Sequence, residues 1–345
     1  MAKEFTRKQL LTLLGGLAIT GLPGCGSKEA ASEPLQTPPV PPAPPAPEGP
    51  EAGKKSLVVV ALGKNLMNAN GDYIAAQVQP VVDKAIARAL KAKDAVEGLA
   101  KIISPEDVVG LKVNCIAGYS LCSRPEVAFA IARRVQDLGV PPEHIIIWDR
   151  TDAELIGCRY TLNKQPGAIQ VYGTSPDIGY TASPLKGGTF SDNISNILVE
   201  RCTKLINVPV MKTHGGAGVS LALKNHLGTN QNPGNNHNDL KSIGDLNAFA
   251  PIKDKTVLVV CDAIRPLYKD GPGDNPQYRW EYNAIIASTD PVAHDRAGYE
   301  ILSQRWQVAH DAEGWGHEYG LDHIRRAGEL GLGNFDPSML EVVEA

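Results

Sequence analysis

No Cys-x-x-Cys pair occurs anywhere in this 345-residue chain, although it holds six cysteines. That absence argues against a structural zinc site and against a ferredoxin-type iron–sulfur cluster, both of which draw ligands from closely spaced cysteines. There is no long block of like charge, and the formal net charge is only −4. A nucleic-acid binder carries a basic patch or stripe, so nucleic acid is not an expected partner. The glycine, lysine and hydroxyl order of a Walker A loop is missing. No internal repeat is visible. Beyond the N-terminus, no apolar run reaches the ~20 residues that a membrane span needs.

What is present begins with an address for export. Lys3, Arg7 and Lys8 precede an apolar run from Leu10 to Leu22, and Leu22-Pro23-Gly24-Cys25 follows. A basic head, a short apolar core and a small residue before the cut predict a secretory signal over residues 1–24. Leu22, Gly24 and Cys25 resemble a bacterial lipoprotein box, which makes Cys25 the expected lipidation site. Residues 6–11 resemble a twin-arginine signal with Lys8 in place of one arginine. Nine prolines then fall between Pro34 and Pro50. Such a segment has no apolar face to bury and extends as polyproline II at ~3.1 Å per residue. Residues 25–55 therefore read as a lipid-anchored stalk, with recognition by a proline-binding module as the competing reading. The expected location is the periplasmic or cell-surface face of a bacterial membrane, with the lipid anchor as the membrane contact.

Residues 56–345 remain for the folded part, enough for one large domain with room for an inserted lobe. Strand-like apolar runs occur at residues 56–63, 108–114, 144–149, 168–172, 204–210 and 256–262. Helical spacing or helix-start signals occur over residues 74–90, from Pro125 to about residue 139, and over 219–226, 239–248 and 291–305. This alternation predicts an α/β fold with a mainly parallel sheet and helices on both faces. Ligands of such sheets bind at the carboxyl ends of strands. Cys115 and Cys122 are the closest cysteine pair and can bridge in an oxidising compartment. Cys202 and Cys261 suit small buried positions on strands. With Cys158, the count outside Cys25 is odd, so at least one thiol stays free or pairs between chains.

The densest chemistry lies after residue 209. Lys212 and His214 lead into Gly215, Gly216 and Gly218, where the backbone can approach a ligand closely. A helix is expected to follow, offering its N-terminal N–H groups to an anion. Lys212 and Lys224 supply positive charge, and His214 can bind a metal or move a proton. The plain alternative is a flexible turn with solvated lysines. His237 stands in a polar loop and matters only if it converges with His214. Asp262 ends a strand. Asp290 opens a helix, where an N-cap is its ordinary role, and Asp295 follows about one turn later. His310, His317 and His323 share a polar stretch with Trp315 and read as surface or packing residues.

These residues fall in a recognisable order: Lys212-Thr-His214, Lys224-Asn225, Gly228, His237, Asp245-Leu246, Asp262, Gly271-Pro272 and Asp290-Pro-Val-Ala-His-Asp295. Lys112 and Asn114 in the run from Gly110, and Arg124-Pro-Glu, precede them. The set is similar to the family called domain of unknown function 362, over roughly residues 56–335. His294 and Arg296 depart from its usual pattern. Some members carry ferredoxin-like cluster domains, which implies redox chemistry. This chain has no iron–sulfur motif, so a separate redox partner is implied. The resemblance strengthens the expectation that Lys212, His214, Lys224, Asn225, His237, Asp262, Asp290 and Asp295 act together.

The leading expectation is a metal-assisted enzyme acting on a small anionic substrate. His214, His237 and Asp262 form the expected ligand set for a divalent or redox metal, leaving open coordination positions. Lys212 and Lys224 hold the anion or stabilise developing charge, with Gly215, Gly216, Gly218 and Asn225 around it. Asp290 or Asp295 is expected to orient a metal ligand from behind or to act as general base. The alternative is a tethered solute-binding or metalloprotein-maturation factor without turnover. A third possibility is that the polar set merely ties loops together.

Overall fold

The computed structural model describes residues 53–310 and 321–345. The leader, Cys25, nearly all of the stalk, Trp315 and His317 lie outside them. The strands are β1 (Ser56–Leu62), β2 (Val109–Lys112), β3 (Ile145–Thr151), β4 (Gln170–Ser175), β5 (Leu185–Gly187), β6 (Phe190–Asp192), β7 (Lys204–Asn207), β8 (Val210–His214), β9 (Gly218–Ser220), β10 (Thr256–Leu267), β11 (Ala284–Ser288) and β12 (Leu340–Glu344). The helices are α1 (Ala75–Ala89), α2 (Ala95–Leu99), α3 (Pro125–Asp137), α4 (Asp152–Gly157), α5 (Ala222–Asn225), α6 (Lys241–Asn247), α7 (Ala250–Lys253), α8 (Pro291–His310) and α9 (Asp322–Glu329).

The main sheet runs β12-β1-β11-β10-β7-β2-β3-β4. Its neighbours are parallel except at β11, which is antiparallel to both β1 and β10. The chain thus has the α/β fold with a mainly parallel sheet. Successive side chains of a strand point to opposite faces, and the two cores follow that rule. Val59 and Ala61 of β1 enter one core, and Val58 and Val60 enter the other. Ile145 and Ile147 of β3 join the first, and Ile146 and Trp148 the second. Helices cover both faces because both are apolar.

The first core is closed by α1 and α3. Val78, Val81, Val82, Ala85, Ile86 and Ala89 fall on one stripe of α1, and each fully buried Val or Ile there contributes roughly 1.5–3 kcal/mol. Pro125 opens α3 at its first turn, where its missing N–H is no loss. The second core is closed by α6, α8 and α9, which contribute Ile243, Val292 and Ile324 among others. Between β4 and β7 the chain inserts a two-stranded hairpin, β5–β6. It packs through Phe190 on Phe249, with ring centroids 5.4 Å apart.

One expected strand is two. The run 204–210 breaks at Val208-Pro209, since proline cannot donate to the ladder. β10 spans the break: Val259 pairs with Asn207 of β7, and Asp262 pairs with Val210 of β8. β8 then turns back as a hairpin with β9, in which Lys212 faces Ser220 and His214 faces Gly218. The carboxyl ends of β2, β3 and β7, together with β8, therefore meet at one edge of the sheet.

Candidate functional site

The floor of the site is a buried polar network at those strand ends. Lys112, fully buried on β2, donates to Asp149 Oδ1 at 2.6 Å and to the Val113 carbonyl at 2.8 Å. The other oxygen of Asp149 accepts from Cys115 N at 2.7 Å. Asn225 joins β2, β7 and the residues just after β2: its Nδ2 donates to the Lys112 carbonyl and to Asn207 Oδ1, and its Oδ1 accepts from Asn114 Nδ2 at 3.0 Å. Asn207 in turn donates to the Ala222 carbonyl. Gly228 closes over the pair, for a Cβ there would lie 2.8 Å from Lys112 Nζ and 3.0 Å from Asp149 Oδ1. A charged pair at the end of an apolar strand needs such partners to be buried at all.

Above this floor stand two further lysines that lack a carboxylate. Lys212 is 1% exposed, and its Nζ donates to Asn114 Oδ1 at 2.9 Å. Lys224 is 8% exposed, and its Nζ lies 2.9 Å from His237 Nε2. Among the described residues neither forms an ion pair with an acid. Burial pulls the Lys212 ammonium down to about 8. Burial, and then the Lys212 charge, pull Lys224 down to about 7. His214 shares the face of β8 with Lys212, two residues away, and stacks on His237 with centroids 5.4 Å apart. Burial brings His214 down to about 3, and Lys224, His237, Lys212 and His323 nearby add to this. The structure thus brings together Lys212, His214, Lys224, Asn225 and His237.

The histidine hydrogens follow from their partners. His214 Nδ1 accepts from Gly216 N and Ala217 N, both at 3.1 Å, so a neutral ring carries its hydrogen on Nε2. His237 Nδ1 lies 3.1 Å from the Pro233 carbonyl, which only accepts, so its hydrogen is there and Nε2 holds the lone pair facing Lys224. His237 is exposed and places its ring at the rim, against the buried Lys224 amine.

The expected metal set is corrected by this geometry. Asp262 pairs with Val210, four residues before His214 on β8, which at ~3.3 Å per residue amounts to ~13 Å of strand. Its oxygens accept from Tyr73 Oη, Arg124 N and Ile264 N, at 3.0, 3.1 and 3.2 Å. Burial raises its carboxyl to about 6 against these hydrogen bonds. Metal bonds to nitrogen and oxygen are only ~2 Å long. The His214 nitrogen Nδ1 is already turned to backbone, and His237 Nε2 to an amine. The three residues do not fit a shared ion, and among the described residues no three His, Cys, Asp or Glu converge on one.

Two expected bases are also corrected. Asp290 caps α8 through Val292 N and Ala293 N, and also accepts from Ser56 Oγ and Asn334 N. Asp295 is fully buried and accepts from Ala222 N and Leu223 N at 2.8 Å each, with His294 Nδ1 on the first oxygen. Both carboxylates are structural clamps. The Gly-rich turn joins β8 to β9 and does not lead directly into a helix. The N-terminus of α5 lies further on and already has its anion in Asp295. Of the three glycines, Gly218 alone takes a positive φ, +71°. Gly215 and Gly216 are exposed in the turn.

Sequence reasoning gives Lys112 and Asn207 no place in the site; Asn114 and Asp149 stand at strand ends, where ligands are expected, but receive no role. The available signal was a lysine inside the apolar run 108–114. His323, expected at the surface or in packing, is fully buried. Neither of its ring nitrogens finds a hydrogen-bond partner among the described residues. Burial, then Lys224, hold it neutral, down to about 3. Cys115, Cys122, Cys158, Cys202 and Cys261 are free, buried thiols, so the Cys115–Cys122 bridge is not formed.

Comparison with known proteins gives one family and distant similarity to several solved chains. The family described as Domain of unknown function (DUF362) matches residues 109–300. Among curated proteins none matches. The lactate racemase apoprotein from Thermoanaerobacterium thermosaccharolyticum is 14% identical, over 77% of this chain and 61% of that one, with a TM-score of 0.43. A protein from Thermotoga maritima is 11% identical, over 67% of this chain and 59% of that one, with a TM-score of 0.36. The match thus spans about three fifths of the length of each solved chain.

Proposed function

The chain belongs to the domain of unknown function 362 family, and we propose that it is an exported, membrane-tethered enzyme that binds a small anionic substrate at Lys212 and transfers a proton through Lys224 and His237. The observation that carries this reading is the pair of buried lysines that find no carboxylate partner among the described residues. A buried ammonium lacking a counter-ion is unfavourable by itself. Here two sit with three neutral histidines around them. An anion entering from the His237 side supplies the missing charge. Lys212, held by Asn114, fixes its position, and the exposed turn at Gly215 and Gly216 bounds the entry.

The Lys224–His237 contact favours turnover over simple capture. An amine near its own titration point, against an imidazole lone pair, is suited to moving protons near neutral pH. A solute carrier needs the charge and not the base. The basic head, apolar core and Cys25 at the N-terminus support tethering outside the cytoplasm.

Calorimetric titration of the purified protein with inorganic phosphate and with oxalate tests the anion site. Saturable binding of at least one is expected, weakened tenfold or more in Lys212→Met with the circular dichroism unchanged. Absence of binding by both anions, or equal binding by the variant, rejects the reading.

A further inference from the structure

We propose that Lys224 is an amine nucleophile that forms a Schiff base with a carbonyl compound bearing an anionic group, a 2-oxo acid being the simplest such ligand. This rests on the anion site assigned above and names its substrate class. The chain itself supplies the contrast. Lys112 is as deeply buried as Lys212, yet it has Asp149 at 2.6 Å. Among the described residues Lys224 has no acid to hold its proton. Its near neighbour is His237 Nε2 at 2.9 Å, whose lone pair is kept available because Nδ1–H is engaged by Pro233. Desolvation beside a second cation is a known physical route to a nucleophilic lysine.

The geometry also separates two roles. Asn114 accepts from Lys212 and donates to Asn225, the residue after Lys224. One amide thus ties the anion-binding lysine to the helix that carries the amine. A ligand whose carboxylate meets Lys212 presents its adjacent carbonyl to Lys224. The neutral amine attacks the carbonyl carbon; a C–N bond forms and the π pair moves to oxygen. His237 Nε2 takes a proton from the nitrogen and returns it to the carbinolamine oxygen. The same ring then passes the remaining N–H proton to that hydroxyl, which leaves as water while the nitrogen electron pair closes the C=N bond. The balance is amine plus carbonyl to imine plus water, with no change of oxidation state. The stretch 231–239, largely exposed at the rim, lets the water out.

The test is reductive trapping. Purified protein is incubated with glyoxylate and sodium cyanoborohydride, and intact mass and peptide mapping locate the adduct. One adduct on Lys224 is expected, with a rate that rises through pH 7 rather than pH 10. Propanal, which lacks the anion, is expected to modify Lys224 at least tenfold more slowly. Lys224→Arg keeps a positive charge and is expected to bind phosphate without being trapped. Adducts spread evenly over surface lysines, or an unmodified Lys224 in protein that still binds phosphate, overturn the nucleophile while leaving the anion site standing. Absence of binding of both phosphate and oxalate by the unaltered protein overturns both.

Discussion

At the scale of single residues, the decisive difference is between lysines that have an acid and lysines that do not. Lys112 with Asp149 is a structural pair. Lys112→Met leaves Asp149 buried with one partner fewer, and a loss of about 3 kcal/mol in urea unfolding is expected. Lys212→Met and Lys224→Met remove an unpaired buried charge. They are expected to leave stability unchanged or raise it by about 1 kcal/mol while weakening anion binding. If Lys212→Met unfolds the protein as readily as Lys112→Met does, the distinction fails. Much of this was legible in the chain. The order of Lys212, His214, Lys224, Asn225 and His237 announced residues that do meet. Asp262, Asp290 and Asp295 stood out equally, yet they are occupied by backbone N–H groups. A sequence displays that a carboxylate is present. It does not display which donors have already claimed it.

At the scale of elements, the site depends on the four-residue helix α5, too short to be stable by its own propensity. Asp295 holds its first N–H groups from α8, and Asn207 holds the Ala222 carbonyl from β7. Asp295→Ala is therefore expected to destabilise by about 2 kcal/mol and to weaken phosphate binding as well, because Lys224 moves with the helix. Asp290→Ala removes the cap of α8 at a different place. It is expected to lower stability by about 1–2 kcal/mol with phosphate affinity intact. Thermal melts and titrations of the two variants separate these outcomes. Equal effects on binding would remove the special place of α5. The α5 region read as one helix over 219–226 for a physical reason: Gly218–Ser220 is only three residues long, and a period of two cannot show itself in three positions. The strand-to-helix turn expected there is a hairpin for the same reason.

At the scale of the whole molecule, the α/β class was visible because buried strands and amphipathic helices alternate with different periods. The direction of β11 was not. Ala284–Ser288 is an apolar run like its neighbours, and nothing local distinguishes an antiparallel strand inside a parallel sheet. The cationic site leaves a mark on global stability. His214, His226 and His323 are held down to about 3 in the folded state by burial first. The unfolded chain takes protons at ~6.5, so stability is lost as pH falls from 6.5 toward 3. Lys224 and Lys212 are held down to about 7 and 8. The unfolded chain keeps those protons up to ~10.4, so stability rises again from pH 7 to 10. Asp262, raised to about 6, acts oppositely, favouring the fold below that pH. Melting temperatures are expected to climb between pH 7 and 9, and phosphate is expected to stabilise most at the lower end. A maximum near pH 6 that phosphate does not move would contradict this.

The hairpin that carries Lys212 and His214 has one more consequence, for how the site can diversify. A Cβ on Gly271 would fall 1.9 Å from the Thr213 carbonyl oxygen, and Gly271 N donates to Thr213 Oγ1. Backbone lies against backbone there, so the hairpin cannot be re-aimed by trading side chains beneath it. Variation in ligand choice then falls to the loop that carries His237, where Gln231 and Asn235 are exposed. Two proteins with the same lysines and the same floor can then discriminate different molecules by their rims alone. A library randomised at the rim is the place to look for altered preference, and one randomised around Gly271 will mostly return unfolded chains.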